Sequence, residues 1–159
     1  NVAVGHQLQR ISLGANRVFH DVRTGAGIID HVLVGQTGVY AVNVVARRPQ
    51  KNGSVQLDGS DLQFSNSDQP TSIVKLMAST ARLEKEVTAL LGHGVRVRSV
   101  IAIPGWDIGV QSSDRHLLVN ERTIAMLRGW KDHSDHLMNE DVDALQQELT
   151  ARCRQSARA

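Results

Sequence analysis

Ile28-Ile29-Asp30-His31-Val32-Leu33-Val34-Gly35-Gln36-Thr37-Gly38-Val39-Tyr40-Ala41-Val42-Asn43-Val44-Val45-Ala46 is the stretch that decides the reading of this chain. Two apolar runs rich in β-branched residues flank Gly35-Gln36-Thr37-Gly38, which has the composition of a tight turn. The runs are predicted as strands over 28–35 and 39–46. Their nearly continuous apolar character suits central strands covered on both faces. One acid, Asp30, stands inside the first run. An unpaired buried carboxylate is costly, so its presence there demands a reason.

Upstream, residues 17–22 are a further strand candidate, joined to 28–35 by Gly25-Ala26-Gly27. Before it, residues 3–13 are predicted as a short helix with Val4, Leu8 and Ile11 on one face, ended by Gly14-Ala15-Asn16. Downstream, Val55-Gln56-Leu57 and Leu62-Gln63-Phe64 flank Asp58-Gly59-Ser60-Asp61, a predicted hairpin. Residues 71–91 are the clearest helix. Ile73, Leu76, Met77, Thr80, Leu83, Val87, Leu90 and Leu91 follow the three-to-four spacing of a buried stripe. Pro70 stands near its start, and Gly92 and Gly94 at its expected end. Val95–Ile103 is a strand stopped by Pro104-Gly105, and Leu117-Leu118-Val119 a shorter one. Asn120 is placed to cap a helix running to about Trp130. A last helix is expected from about Glu140 to Gln155, with acids in its first turn and arginines in its last, as the helix dipole prefers. The order of elements is that of an α/β fold with a mixed central sheet.

The chain has 159 residues, enough for one domain with a sizeable core. Aromatics are 3% of it, so the core must be built from Val, Leu, Ile and Ala. A net charge of +2 neither argues for nor opposes nucleic acid as a partner. The single cysteine, Cys153, has no internal disulfide partner, which points to a reducing, cytoplasmic compartment. No signal peptide is recognised, and no apolar run approaches the roughly 18 residues of a membrane span. No contact with a membrane is therefore expected from this segment. The sequence starts at Asn1 without a methionine, and the expectation is a piece of a longer protein.

Taken together, these segments resemble the nuclease-related domain, NERD, a branch of the PD-(D/E)XK nuclease superfamily. Ile29-Asp30-His31 is similar to the Ile-Asp-His core of that family's first strand. Gly38-Val39-Tyr40-Ala41-Val42 lines up with its second, which runs Gly-Val-Phe-Val-Ile-Glu-x-Lys. Val18-Phe19-His20-Asp21-Val22 is close to the family's Val-x-His-Asp-Val strand. Val100-Ile101-Ala102-Ile103-Pro104-Gly105-Trp106 is like its strand ending in Phe-Pro-Gly. The likeness covers roughly residues 5–119, with 120–159 as a C-terminal helical part of a single domain spanning 1–159. It implies a central mixed sheet flanked by helices, the restriction-endonuclease-like core of the superfamily. Relatives often carry membrane helices upstream, so the resemblance is also compatible with the soluble part of a membrane-anchored protein.

In that family the Asp, Glu and Lys form a metal-dependent cleavage site. The Asp is kept here as Asp30, while Asn43 stands at the Glu position and Val45 at the Lys position. Two further departures are Gly5-His6-Gln7, without the glutamates often found in the family's first helix, and Ile73, where a glutamine often follows the proline. Hydrolysis of a phosphodiester would need magnesium, a hard cation that wants oxygen ligands. Asp30 would be its ligand if the site is active. Asn43 offers only a neutral carbonyl and Val45 nothing polar. The loss of one such group commonly costs a factor of about 100 to 1000. Lys75 and Asp21 are the candidate substitutes. Otherwise no cofactor is expected, and Asp30 would hydrogen-bond backbone amides or His31 and hold the end of the sheet.

Basic residues form two candidate phosphate-gripping patches. Arg47, Arg48 and Lys51 follow the second strand, while Arg96 and Arg98 alternate on another and would share one face. The alternative is an ordinary solvated surface. Asp132-His133-Ser134-Asp135-His136 has spacing suited to zinc or nickel, against the alternative of a solvated loop. His20 and His31 flank the candidate site, where a structural hydrogen-bonded pairing of His with Asp is expected. Cys153 is in register with Val142, Leu145 and Leu149 and is expected in the core. The favoured reading is a catalytically degenerate domain acting as a binding or regulatory module toward nucleic acid or a protein. The alternatives are a working magnesium-dependent nuclease with a relocated Lys or carboxylate, and a purely structural interaction domain whose cleft is plugged by Val45 and its neighbours.

Overall fold

A computed structural model describes residues 17–109, 115–125 and 137–153. Nine strands and two helices follow in the order β1 Arg17–Thr24, β2 Gly27–Gly35, β3 Gly38–Val44, β4 Ser54–Asp58, β5 Asp61–Phe64, β6 Thr71–Ser72, α1 Val74–Leu91, β7 Val97–Ala102, β8 Asp107–Ile108, β9 His116–Val119 and α2 Asn139–Arg152 among these residues. They form a five-stranded mixed sheet, β1-β2-β3-β7-β9, and a smaller four-stranded one, β6-β5-β4-β8. The fold is α/β, with mixed sheets and two packed helices.

The quoted stretch lies where its composition puts it. β2 and β3 form an antiparallel hairpin with Gly35 opposite Gly38, and β3 runs parallel to β7 from Val39↔Val97 to Val44↔Ala102. β3 is thus the middle strand, and six of its seven residues are buried. Gly38 has φ 127, a conformation that a side chain rarely adopts. One face of the sheet packs Phe19, Val22, Ile29, Val32, Val34, Val39, Ala41 and Val97 against Leu83 and Val87 of α1 and Val142, Leu145 and Leu149 of α2. Both helices therefore lie on that face. Leu33, Tyr40, Val42, Val100 and Val119 are buried in a second cluster with Ile124. A third cluster ties the smaller sheet, through Val55, Leu57, Leu62, Phe64 and Trp106, to Ile73, Ile101, Ile103 and Leu118.

Strand alternation breaks at one place. Phe19 and Val22 join the same cluster although three residues apart, and so do Ile29 and Val32 on the neighbouring strand. A regular strand would send such pairs to opposite faces. No residue is inserted, because His20↔His31 and Val22↔Ile29 keep one register. Instead both strands reverse their facing at His20-Asp21 and Asp30-His31. Asp21 makes the reversal at φ 52, a left-handed conformation that Asp tolerates better than most residues.

The helix expected at 71–91 starts three residues later. Thr71 and Ser72 pair with Leu62 and Asp61 as β6, and the Ile73 N–H donates to Ser60 O at 2.9 Å. Their backbone groups are thus satisfied by the hairpin, and the Ser72 hydroxyl accepts the Val74 N–H at 3.2 Å where the helix begins. Gly92 ends it in the left-handed conformation at φ 78. Leu90, placed in the buried stripe from its spacing, is 45% exposed. At Asn120 the side chain accepts the Arg122 and Thr123 N–H groups at 2.9 and 3.1 Å, as a capping residue does. Residues 121–125 form a turn and a short 3₁₀ segment. The predicted helix at 3–13, the remainder of the one to Trp130, and the Asp132–His136 cluster fall outside the described residues. Cys153 is half-buried against the helix-covered core, and its backbone bridges Val22.

Candidate functional site

The place where the strands reverse is also where the family's acid stands. Asp30 is half-buried, and its Oδ2 accepts the Val44 N–H at 2.8 Å. The carboxylate therefore closes the end of the β2–β3 ladder with a charge-assisted hydrogen bond. Asp21 lies across from Asp30 in the β1–β2 register, although the two are not a ladder pair.

Asn43 points to α1. It is 5% exposed, and its Nδ2 donates to Thr80 Oγ1 at 3.5 Å. Val45, at the position of the family's Lys, is half-buried and packs against the third cluster, as do Leu76 and Met77 from the first turn of α1. The Val45 N–H donates to Ala102 O at 2.9 Å. Lys75 is exposed, and its side chain makes no hydrogen bond or ion pair with a described residue.

Magnesium would need several oxygen donors at this point. The three aligned positions offer one carboxylate already holding a backbone N–H, one buried amide turned to Thr80, and an apolar side chain. That donor set does not fit the ion. Among the described residues no three His, Cys, Asp or Glu side chains gather in a metal-holding group.

The two histidines meet each other across the β1–β2 register. His20 Nδ1 and His31 Nδ1 are 2.8 Å apart, with the rings edge to face. One of these nitrogens must donate and the other accept, so at least one ring is neutral. His31 is 5% exposed, and its Nε2 is buried without a partner. Burial, then the adjacent His20, holds its pKa down to about 4, against the weaker pull of Asp21. Burial lowers the pKa of His20 too.

The basic residues divide. The Arg47 guanidinium stacks 4.1 Å above the Phe64 ring and donates to Thr71 Oγ1 at 3.2 Å, while its carbonyl accepts the Trp106 Nε1–H at 3.1 Å. It is built into the joint between the smaller sheet and the β3–β4 loop. Arg48 and Lys51 are exposed on that loop. Arg96 is exposed and Arg98 is 9% exposed, and both line one groove beside α1. Sequence reasoning missed Thr80 as the partner of Asn43 because its spacing marked it only as a member of a buried stripe.

Comparison with known proteins agrees with this arrangement of motifs. No curated protein matches the chain. Among solved structures, that of Pyrococcus furiosus SfsA in complex with Ca2+ is similar at 14% identity and a TM-score of 0.33, over 95% of this chain and 50% of that one. The chain thus spans about half the length of that structure, and a likeness so loose carries no argument about the site. Residues 2–104 match the nuclease-related domain, and the chain belongs to that family, NERD.

Proposed function

We propose that this NERD domain is catalytically degenerate and works as a binding module rather than a nuclease. The observation that carries this reading is the fate of the Glu and Lys positions. Val45 is packed into an apolar cluster, and Asn43 is turned onto Thr80. With Asp30 holding the Val44 N–H, the old catalytic positions serve the fold. A pair of missing groups that each normally contribute a factor of about 100 to 1000 leaves little rate to recover, even where the losses do not add. Nucleic acid is the partner the family relationship suggests, gripped through phosphates by the exposed Arg48 and Lys51.

Val45 also supports a second reading, a purely structural interaction domain, because the cleft it would fill is then not a binding groove at all. The test is incubation of the chain with plasmid and linear DNA in magnesium or manganese. No cleavage above a buffer control is expected. Cleavage that disappears in Asp30→Ala would overturn the proposal, and its loss in Lys75→Ala as well would point to a relocated lysine. Weak, salt-sensitive DNA binding without cleavage supports the binding module, and no binding at low salt supports the structural reading.

A further inference from the structure

The cations of this chain divide by what their side chains touch. Arg47 is stacked on Phe64, Arg82 pairs with Glu86, Arg122 with Asp107, and Arg152 with Glu86 and Glu148. Arg48, Lys51, Lys75, Lys85 and Arg96 are exposed, and their side chains make no hydrogen bond or ion pair with a described residue. A guanidinium already held by the fold must break that contact to take a ligand, whereas a solvated cation gives up mainly side-chain freedom.

These solvated cations follow α1. Lys75 and Lys85 lie on its outward side, within about 80° of one another around the axis and about 15 Å apart along it. At the start of the helix, the Arg47–Thr71 hydrogen bond draws the loop that carries Arg48 and Lys51 toward the residues preceding α1. On one flank, Arg96 lines a groove with Ala81 and Glu84, and Ala81 stands one turn before Lys85. Both acids of the helix are engaged elsewhere. Glu84 Oε2 accepts the Val97 N–H at 2.9 Å, while Glu86 accepts the Gly25 N–H at 3.2 Å and pairs with Arg82 and Arg152. Asp61, opposite Ser72 in the β5–β6 register, is an acid beside the start of the track.

We infer that the outward side of α1 is a track for the sugar-phosphate backbone of a duplex nucleic acid, continued from Arg48 and Lys51. The inference rests on the binding-module reading above and adds to it the surface along which the partner lies. Two ammonium groups about 15 Å apart cannot grip one phosphate, but they match a polymer with a charge about every 1.7 Å of its axis. The exposed residues between them are Ala78, Ala81 and Arg82. The alanines let a backbone approach closely. The stretch has no ring on which an unpaired base could stack, which favours a duplex over a single strand.

The experiment is a fluorescence-anisotropy titration of a labelled duplex of about 20 base pairs with the full 159-residue chain, from about 50 to 200 mM salt. The Lys75→Ala, Lys85→Ala double variant should lower the slope of log affinity against log salt by about 1.8, one phosphate contact for each lysine. Lys85→Glu should weaken binding further than Lys85→Ala, because it sets a like charge against the phosphates. Both lysines are exposed and without a partner among the described residues, so these variants should fold as the wild type does. If the double variant keeps the wild-type slope while Arg48→Ala, Lys51→Ala lowers it, the track along α1 is overturned and the binding-module reading stands. Absence of duplex binding at low salt overturns both. Tighter binding of a single strand of the same length, or of poly-glutamate at the same salt, overturns the duplex as the partner.

Discussion

The buried His20–His31 pair makes a prediction that can be worked through in numbers. His31 is 5% exposed and its pKa is held at about 4, against an ordinary 6.5. The folded protein therefore resists a proton that the unfolded chain accepts. The sign follows from linkage: where the unfolded state binds more protons, stability rises with pH. The contribution of neutral His31 is complete above the unfolded value, falls as the pH drops below 6.5, and levels off below about 4. From these two values the loss is about 1.4 kcal/mol at about pH 5.5 and about 2.5 kcal/mol at about pH 4.5. Against a total stability of about 5–15 kcal/mol for a domain, that is a large share.

Carboxylates titrate in the same range, so the wild-type curve alone cannot isolate the histidine. The assay is urea unfolding of the wild type and His31→Leu from about pH 7.5 to 4.5. Leu has a similar apolar body and no titrating group. It also removes the buried Nε2 that lacks a partner, an arrangement that costs about 1–3 kcal/mol. His20 and the carboxylates remain in both proteins, and much of their contribution cancels in the difference. The variant should gain on the wild type by about 2.5 kcal/mol as the pH falls across this range. A difference that stays flat within about 0.5 kcal/mol over this range refutes the argument that burial keeps His31 neutral.

Removing the carboxylate in Asp30→Ala leaves the Val44 N–H without its acceptor and should cost about 1–3 kcal/mol in urea unfolding, with Asp30→Asn costing less. A fully neutral Asp30→Ala would mean that the carboxylate does not hold the strand end. Restoring the family's residues in Asn43→Glu, Val45→Lys should yield a protein destabilised by about 2–5 kcal/mol and still without magnesium-dependent cleavage, measured by the same unfolding and by plasmid assay. Cleavage by that variant would show that only the two side chains were missing. In gel-shift titrations, Arg48→Ala and Lys51→Ala should each lower the slope of log affinity against log salt by about 0.9 for a lost phosphate contact. Arg47→Ala should act mainly on unfolding, since its guanidinium is stacked on Phe64.

The residues of β2 and β3 made their pairing legible, because a Gly-rich turn between two valine-rich runs has few other solutions. The smaller sheet was legible only as its central hairpin. β6 and β8 have two residues each, too short for any period to register, and β8 is held by parallel pairing of Ser54 with Asp107 and Val55 with Ile108. The pairing of β6 with β5 explains the later start of α1, since Thr71 and Ser72 are polar, uncharged residues whose fate the β5 edge decides. At the site, motif alignment located Asp30, Asn43 and Val45 but not what they touch. The partner of Asp30 is a backbone N–H fourteen residues away. The two histidines come together through the β1–β2 register, eleven residues apart in sequence. Arg98, read with Arg96 as part of a phosphate-gripping patch, lies on β7, all of whose residues are buried.

The substitutions at 43 and 45 follow the physical demands of the strand that carries them. β3 is the central strand, and beyond it Val45 still hydrogen-bonds to Ala102 alongside β7. A lysine or glutamate there must be solvated through an open cleft or paired with a metal and substrate, since an unpaired charge among Ile101, Ile103 and Leu76 would be costly. An active nuclease maintains that opening against the tendency of apolar neighbours to close it. Once the requirement for catalysis is relaxed, Val at 45 and Asn at 43 lower the cost of closing α1 over the strand, with the amide still able to reach Thr80. Asp30 is the member of the set that need not change, because its carboxylate has a second task in holding the Val44 N–H. On the proposed reading, Asp30 serves the fold through the hydrogen bond that its carboxylate accepts from the Val44 N–H.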